Sequence, residues 1–346
     1  MTDESRMFRR TIGIDYSGAQ TAEASLTGLR VYETQDDGPP VEVQPLPSPR
    51  KYWTRRSLAE WLIMELGRGM PTIVGIDHGF SFPMHYFERH GLASDWDAFL
   101  EDFCTYWPTD APHTYVDFVR DGSVGKGAAR SGERTWRRLT EEATGSAKSV
   151  FHFDVQGSVA KSTHAGIPWL RGIRTAHPGL HFWPFDGWEP AAGKSVIVEA
   201  YPRLWSADYP RENRTQDQHD AYSIARWLRD ADITGELKAA FQPPQPETIA
   251  GYAAVEGWIL GASWPPQQKS ARRREAVGRD VGKTTKPGYV NRNRQQVLHG
   301  TGLPGNDHNQ VVYLLQCRDC GHRYGANGSD IFQRKCPVCG GGRPGL

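Results

Sequence analysis

Thr72-Ile73-Val74-Gly75-Ile76-Asp77 is a short apolar run, rich in β-branched residues, that stops at an acid and is followed by turn-type residues. Such a run reads as a strand buried on both faces. The same pattern stands at Thr11-Ile12-Gly13-Ile14-Asp15 and at Val196-Ile197-Val198-Glu199. In open α/β sheets, sites form at the carboxyl ends of parallel strands. Three neighbouring parallel strands would therefore bring Asp15, Asp77 and Glu199 together. One terminal Asp carries little weight, because Asp also opens turns. Three such strands, followed by an acidic helix start, point to a metal site.

That helix start is Asp217-Gln218-His219-Asp220-Ala221-Tyr222-Ser223-Ile224-Ala225. Asp217 and Asp220 are three apart, which sets their Cβ atoms about 5–6 Å apart on one face. Ala221, Ile224, Ala225 and Leu228 recur at helical spacing and predict a buried stripe. Two carboxylates about 4 Å apart repel by roughly 4 kcal/mol at an effective dielectric near 20, and a divalent cation relieves that repulsion. The competing reading makes Asp217 an N-cap and Asp220 an ordinary first-turn acid. His219, beside Asp220, is either an ordinary surface or core histidine or a group that orients water or binds phosphate.

In this order the segments resemble the RNase H-like superfamily, whose members carry an Asp on the first strand, an acid on the fourth and acids on a late helix. Asp217-x-x-Asp220-Ala221 is similar to the late-helix motif of Holliday-junction resolvases in that superfamily. A closer resemblance is to a family of predicted RNase H-like nucleases. It is carried by Gly13-Ile14-Asp15-Tyr16-Ser17-Gly18, Ile76-Asp77, Gly157-Ser158-Val159, Gly166-Ile167-Pro168, Glu199-Ala200-Tyr201-Pro202 and His219-Asp220-Ala221, and covers roughly residues 8–265. The resemblance implies an RNase H-like mixed sheet with flanking helices, and a nuclease dependent on Mg²⁺ or Mn²⁺. The Gly-x-Asp-x-x-Gly at the first strand also fits a phosphate loop of actin-like sugar kinases, but no second matched loop or adenosine-binding Gly-Gly segment is evident.

Within residues 8–265 the strand after Asp15 is expected at about Ala22–Leu26, with a third near Val31–Thr34 or Val41–Leu46. A helix follows from about Ser57, capped by Ser57 with Glu60 at N3, and ends at Gly67. Residues 78–190 are long for a connection and rich in aromatics and basic groups, among them Trp96, Trp107, Trp136, Trp169, Trp183 and Trp188. Exposed aromatics beside Arg120–Arg138 would grip a nucleic-acid strand; the alternative is a solvated loop over a small aromatic core. Asp95–Phe103 reads as a short helix. Gln156–Gly166 reads as a small-residue loop in which Lys161 and backbone N–H groups could meet a phosphate. A last helix, Pro246 to about Leu260, closes the domain.

The chain of 346 residues carries a formal net charge of +1, so charge speaks only locally. From Lys269 to Arg294 nine Lys or Arg oppose two acids, and few large apolar residues remain. Residues 266–310 thus read as a basic connector, with Arg272, Arg273, Arg274, Lys283, Arg292 and Arg294 as candidate nucleic-acid contacts. Four of the five cysteines then form Cys317-x-x-Cys320 and Cys336-x-x-Cys339, fifteen residues apart. That spacing predicts a four-thiolate structural zinc site within a zinc ribbon at 311–346, a module suited to nucleic acid or to a protein partner. Cys104 reads as a small buried hydrophobe. No apolar run approaches the ~20 residues that span a membrane, and Met1–Arg10 lacks the apolar core of a signal peptide. A reducing cytoplasm is expected.

The expected function is two-metal phosphodiester hydrolysis in DNA or RNA, with Asp15, Asp77, Asp217 and Asp220 holding Mg²⁺ or Mn²⁺, and Glu199 and His219 beside them. The runner-up is a non-catalytic nucleic-acid-binding adaptor of the same fold.

Overall fold

Strands β1 (Arg10–Asp15), β4 (Thr72–Asp77) and β6 (Val196–Glu199) are the three acid-terminated runs, and they lie side by side and parallel. They form the centre of a mixed six-stranded sheet in the computed structural model, which describes residues 6–35, 38–47, 50–154, 159–264, 283–304 and 311–345. Strands β2 (Arg30–Gln35), β3 (Val41–Glu42) and β5 (His181–Phe182) complete the order β3-β2-β1-β4-β6-β5, with β2 antiparallel to both β1 and β3. The chain divides into two units, Met1–Gln268 and Lys269–Leu346.

Side chains alternate across a sheet, and this decides what each face sees. On β1 and β4, Ile12, Ile14, Val74 and Ile76 join a core with Leu58, Trp61 and Leu62 of helix α1 (Arg55–Leu66). Other β4 and β6 residues, Ile73, Val196 and Val198, meet Ile224 and Leu228 on the opposite face. Both belong to the helix that begins at the Asp217 motif, running Gln216–Thr234. The α/β architecture, with helices flanking a mixed sheet, is thus as expected.

Several local expectations are corrected. Ala22–Leu26 is not a strand: it turns, with Ala22 and Leu26 buried, and the second strand is Arg30–Gln35. The third pairs only at Val41–Glu42, and Pro45, which has no N–H to donate, lies just beyond it. Helix α1 is capped by Thr54, not Ser57; Thr54 Oγ1 accepts the Ser57 N–H at 2.9 Å and Ser57 Oγ accepts the Thr54 N–H at 3.1 Å.

Residues 78–190 are no loop laid over the core. They contain α2 (Met84–His90), α3 (Trp96–Tyr106), α4 (Val116–Arg120), α5 (Leu139–Thr144) and α6 (Val159–Ala176). Helix α3 begins at an Asp95 cap, and its Trp96, Phe99, Leu100 and Phe103 enter the core. Trp107 and Trp183 are fully buried too, so these rings are core and do not form an exposed stacking platform. The expected loop around Lys161 is instead the start of α6, because Ala160, Ala165, Ile167, Leu170 and Ile173 bury one face. Gln156, Gly157 and Ser158 lie outside the described residues. The 216–234 helix is α7, and α8 (Glu236–Phe241) and α9 (Glu247–Glu256) follow it.

The second unit is a three-stranded antiparallel sheet, β7 (Gln295–Pro304), β8 (Val311–Cys317) and β9 (Arg323–Asn327), in that order. The connector expectation is therefore corrected for residues 283–304. Val297 is fully buried against Leu315, Tyr324 and Ile331, and the Asn291 side-chain amide donates to the carbonyls of Ile331 and Arg334. The buried Val297 and Gln295, the bonded Asn291 and the β7–β8 ladder fold a stretch that is polar by composition. Arg272, Arg273 and Arg274 lie outside the described residues, as do 305–310. Lys283 opens a short 3-10 turn, Arg292 is exposed, and Arg294 Nε pairs with Asp319 Oδ1 at 2.6 Å. Among the described residues, no helix is long and apolar enough to cross a membrane.

Candidate functional site

Asp15 and Asp77 are partners in register across the parallel β1–β4 pair, at the strands' carboxyl ends. Neighbouring strands are about 4.8 Å apart, and register partners point to one face, so the two carboxylates are side by side. The face they share is that of α7. It also carries Gly13 and Thr11, whose hydroxyl donates to the Ala225 carbonyl at 2.9 Å. Helix α7 starts at a Thr215 cap, so Asp217 is not the N-cap and sits in the first turn with Asp220 one turn on. All four aspartates line one cleft of about 1160 Å³. Gln216 Nε2 donates to both oxygens of Asp220, at 2.9 and 3.0 Å.

Burial, and then the neighbouring acids Asp77, Asp217 and Asp220, hold the Asp15 carboxyl well above the usual carboxylate range. Burial and then Asp220 and Glu199 do the same to Asp77. Asp217 and Asp220 are also raised, mainly by burial; Arg30 and Arg211 act against the rise at Asp217, and the Gln216 amide at Asp220. A group whose folded pKa exceeds its unfolded value binds more protons in the native state, so it costs stability as pH rises. With zinc retained and Mg²⁺ and Mn²⁺ absent, wild type should therefore gain more melting temperature than Asp15→Asn between about pH 8 and about pH 5. The comparison with the variant is needed because burial lowers His78 to about 4 and His164 to about 3, and these oppose the trend in both proteins. Equal pH profiles would show that the acids do not repel one another in the fold.

Glu199 stands apart. Its register partner is Ile76, not Asp77, so it points to the opposite face of the sheet. There its oxygens accept from Arg138 Nη2 at 2.6 Å and Nη1 at 2.7 Å, and Oε2 also accepts the Phe80 N–H. Arg138 Nε bonds Glu141 Oε1 at 3.0 Å, and all three side chains are buried. Glu199 is the buried anchor of an ion-pair group rather than a free ligand beside Asp77. Glu256 accepts the Met84 and Leu139 N–H groups and is structural. His219 turns away from the acids, with Nε2 on the Ser206 carbonyl at 2.9 Å. Lys161 lines the cleft but is paired with Asp117 at 2.5 Å. Arg138 belonged to a basic stretch with no periodic pattern, and only its partner 61 residues away reveals its role.

The four cysteines of the second unit converge. Their sulfurs all lie within 4.8 Å of one another, with Cys317–Cys339 and Cys320–Cys336 each at 3.6 Å. Tetrahedral zinc with Zn–S bonds of about 2.3 Å would place its sulfurs about 3.8 Å apart, whereas a disulfide needs about 2.05 Å. The spacing fits a metal such as zinc, and no vertex is left for substrate. Among the described residues, these cysteines are the group drawn together closely enough to hold an ion as they stand; the four aspartates are not. Chelation of zinc, or Cys336→Ser, should leave the second unit protease-sensitive, because a core of five buried side chains is too small to fold alone. Metal analysis should find about one zinc per chain; a resistant second unit in the zinc-free protein would refute the structural role.

Comparison of the chain with protein-family models, with curated proteins and with solved structures found no match. The site therefore stands on its own geometry.

Proposed function

We propose that the first unit is an RNase H-like, metal-dependent nuclease and that the second is a zinc ribbon that helps it engage nucleic acid or a protein partner. The observation that carries this reading is the in-register Asp15–Asp77 pair facing Asp217 and Asp220 of α7 in one cleft. Four acids raised by burial, three of them also by neighbouring acids, form an all-oxygen donor set, the kind that suits hard divalent cations. Asp15, Asp77, Asp217 and Asp220 would hold Mg²⁺ or Mn²⁺, which supplies an activated water and stabilises a leaving oxygen. Around them, the chain's own groups hold the acids in place. Thr11 ties β1 to α7, Gln216 fixes the Asp220 carboxylate, and the Arg138–Glu199 pair supports the end of β6. A cytoplasmic location fits this reading.

The second reading is a nucleic-acid-binding adaptor without catalysis. It is favoured by Glu199, which is committed to Arg138, and by the aspartates, which do not close on one ion as they stand. Both are tested by incubating labelled single-stranded, duplex and branched DNA, and RNA, with Mg²⁺ or Mn²⁺. Wild type should cleave at least one, and Asp220→Asn should lose that cleavage by orders of magnitude. Binding without cleavage in both proteins would establish the adaptor.

A further inference from the structure

The arginines of the 78–190 segment are mostly neutralised by acids. Arg120 meets Asp117, Arg130 meets Asp102, Arg138 meets Glu199 and Glu141, Arg171 meets Glu101, and Arg174 meets Asp97 and Asp186. Apart from the exposed Arg89 on α2, the exceptions gather in one place. Arg134, Arg137, Lys148 and Arg203 line a second cavity of about 520 Å³, together with Thr135, Ser146 and His152, and among the described residues no carboxylate lines it. Arg134, Lys148 and Arg203 are exposed and have no acidic partner among the described residues. Like charges gathered without acids repel, and a bound anion relieves that repulsion.

The cavity is built rather than accidental. Arg137 is held by the carbonyls of Glu141 and Ala147, and its buried Nε–H has no partner among the described residues. Ser149 ties the wall down by donating to the Trp136 carbonyl and accepting the Phe151 N–H. Arg203 stands in the short 3-10 helix Pro202–Leu204, directly after the strand that ends at Glu199. Ser146, Ala147, Lys148 and Arg203 line both this cavity and the aspartate cleft, so the two are one continuous surface.

We propose that this cavity is a phosphate-binding site that seats a phosphate group of a nucleic-acid strand whose neighbouring segment lies in the aspartate cleft. The proposal rests on the nucleic-acid reading of that cleft. Guanidinium forks and an ammonium without competing acids match phosphate oxygens, and hydroxyls such as those of Thr135 and Ser146 add donors. The site also answers a problem of charge. Four aspartates repel a polyanion, and a cationic cavity on the same surface supplies the attraction that holds the strand beside them. The phosphate is either an internal diester or a strand end, and the two are separable by experiment.

The test is fluorescence anisotropy with 3′-labelled single-stranded DNA and RNA that carry a 5′-phosphate or a 5′-hydroxyl, with zinc retained and Mg²⁺ and Mn²⁺ absent. The proteins are wild type, Arg134→Ser/Lys148→Ser/Arg203→Ser, the single variants Lys148→Ser and Arg203→Ser, and Asp220→Asn. Each lost phosphate contact should flatten the plot of log affinity against log salt by about 0.7 for a single strand. The triple variant should therefore lose about two units of slope and at least roughly tenfold in affinity at low salt. Asp220→Asn should bind at least as well as wild type. A wild-type preference for the 5′-phosphate that vanishes in the triple variant assigns a strand end, and an equal loss on both probes assigns an internal diester. The single variants carry the readout if the triple fails to fold. Unchanged affinity and slope in the folded variants, or no binding by wild type, overturns the site. Cleavage by wild type with unchanged binding in the variants would sink the site and leave the nuclease; lost binding in a protein that cleaves nothing would do the reverse.

Discussion

Arg138→Met is expected to destabilise the first unit by about 3–5 kcal/mol, the usual cost of removing one partner from a buried ion pair. Arg138 is about 1% exposed on its side chain, and its guanidinium is the counter-charge for both Glu199 and Glu141. Methionine fills much of the volume, so the loss reports the two stranded carboxylates rather than a cavity. Burial already lifts Glu141 to about 7 with the arginine present. Without it, both acids take up protons in the folded state, so the variant binds more protons folded than unfolded. Its deficit should therefore shrink as pH falls through that raised range and grow above it. Urea denaturation followed by tryptophan fluorescence measures both effects. Arg138→Met/Glu199→Gln should recover part of the loss, since the stranded charge is then removed. A deficit under about 1 kcal/mol at neutral pH would mean that the pair is not buried as described.

Gly13→Ala should be comparably severe. A Cβ on Gly13 would lie 2.2 Å from the Ala221 carbonyl oxygen and 2.5 Å from the Ala225 nitrogen. Both are backbone atoms of α7, so no rotamer change makes room and the helix must lift from β1. Overpacking in well-packed cores costs about 1–3 kcal/mol when side chains can adjust, and here they cannot, so a loss of at least about 3 kcal/mol is expected. The same displacement moves Asp217 and Asp220 away from Asp15, so metal-dependent cleavage should fall even in the folded fraction. Gly172→Ala is the control: its Cβ would meet nothing within 4 Å, on an exposed face of α6. That substitution should be neutral or stabilising by up to about 1 kcal/mol. Equal stability of the two variants would show that α7 does not sit against β1 at this distance.

Much of the first unit's centre was legible because its signals are local. A run of β-branched residues ending in an acid identifies a buried strand and places a carboxylate at its carboxyl end, as at Asp15 and Asp77. Helical spacing identified the buried stripe of α7 and set Asp217 and Asp220 on one turn, and two Cys-x-x-Cys pairs predicted a convergent four-sulfur group. The misreadings came where composition stood in for contacts. Composition leaves the tryptophans of 78–190 open between an exposed grip and a small aromatic core; Trp96, Trp107 and Trp183 are buried and Trp136, Trp169 and Trp188 partly so, because a ring's exposure depends on what folds over it. Residues 283–304 are polar enough to pass for a linker, yet Val297 and Asn291 are drawn into a sheet by partners thirty or more positions away in sequence for Asn291 and across β8 for Val297.

What the sequence by itself determined is which residues end the strands, which face of α7 is apolar and which sulfurs can meet. What only the tertiary structure decided is register. Asp77 pairs one position beyond the residue that faces Glu199. In a pleated sheet that single step sends Glu199 to the other face, into the hold of Arg138, and leaves Asp15 and Asp77 on the face of α7, the helix that carries Asp217 and Asp220. Strand register is set by the packing of both faces together, and no local pattern of residues records it.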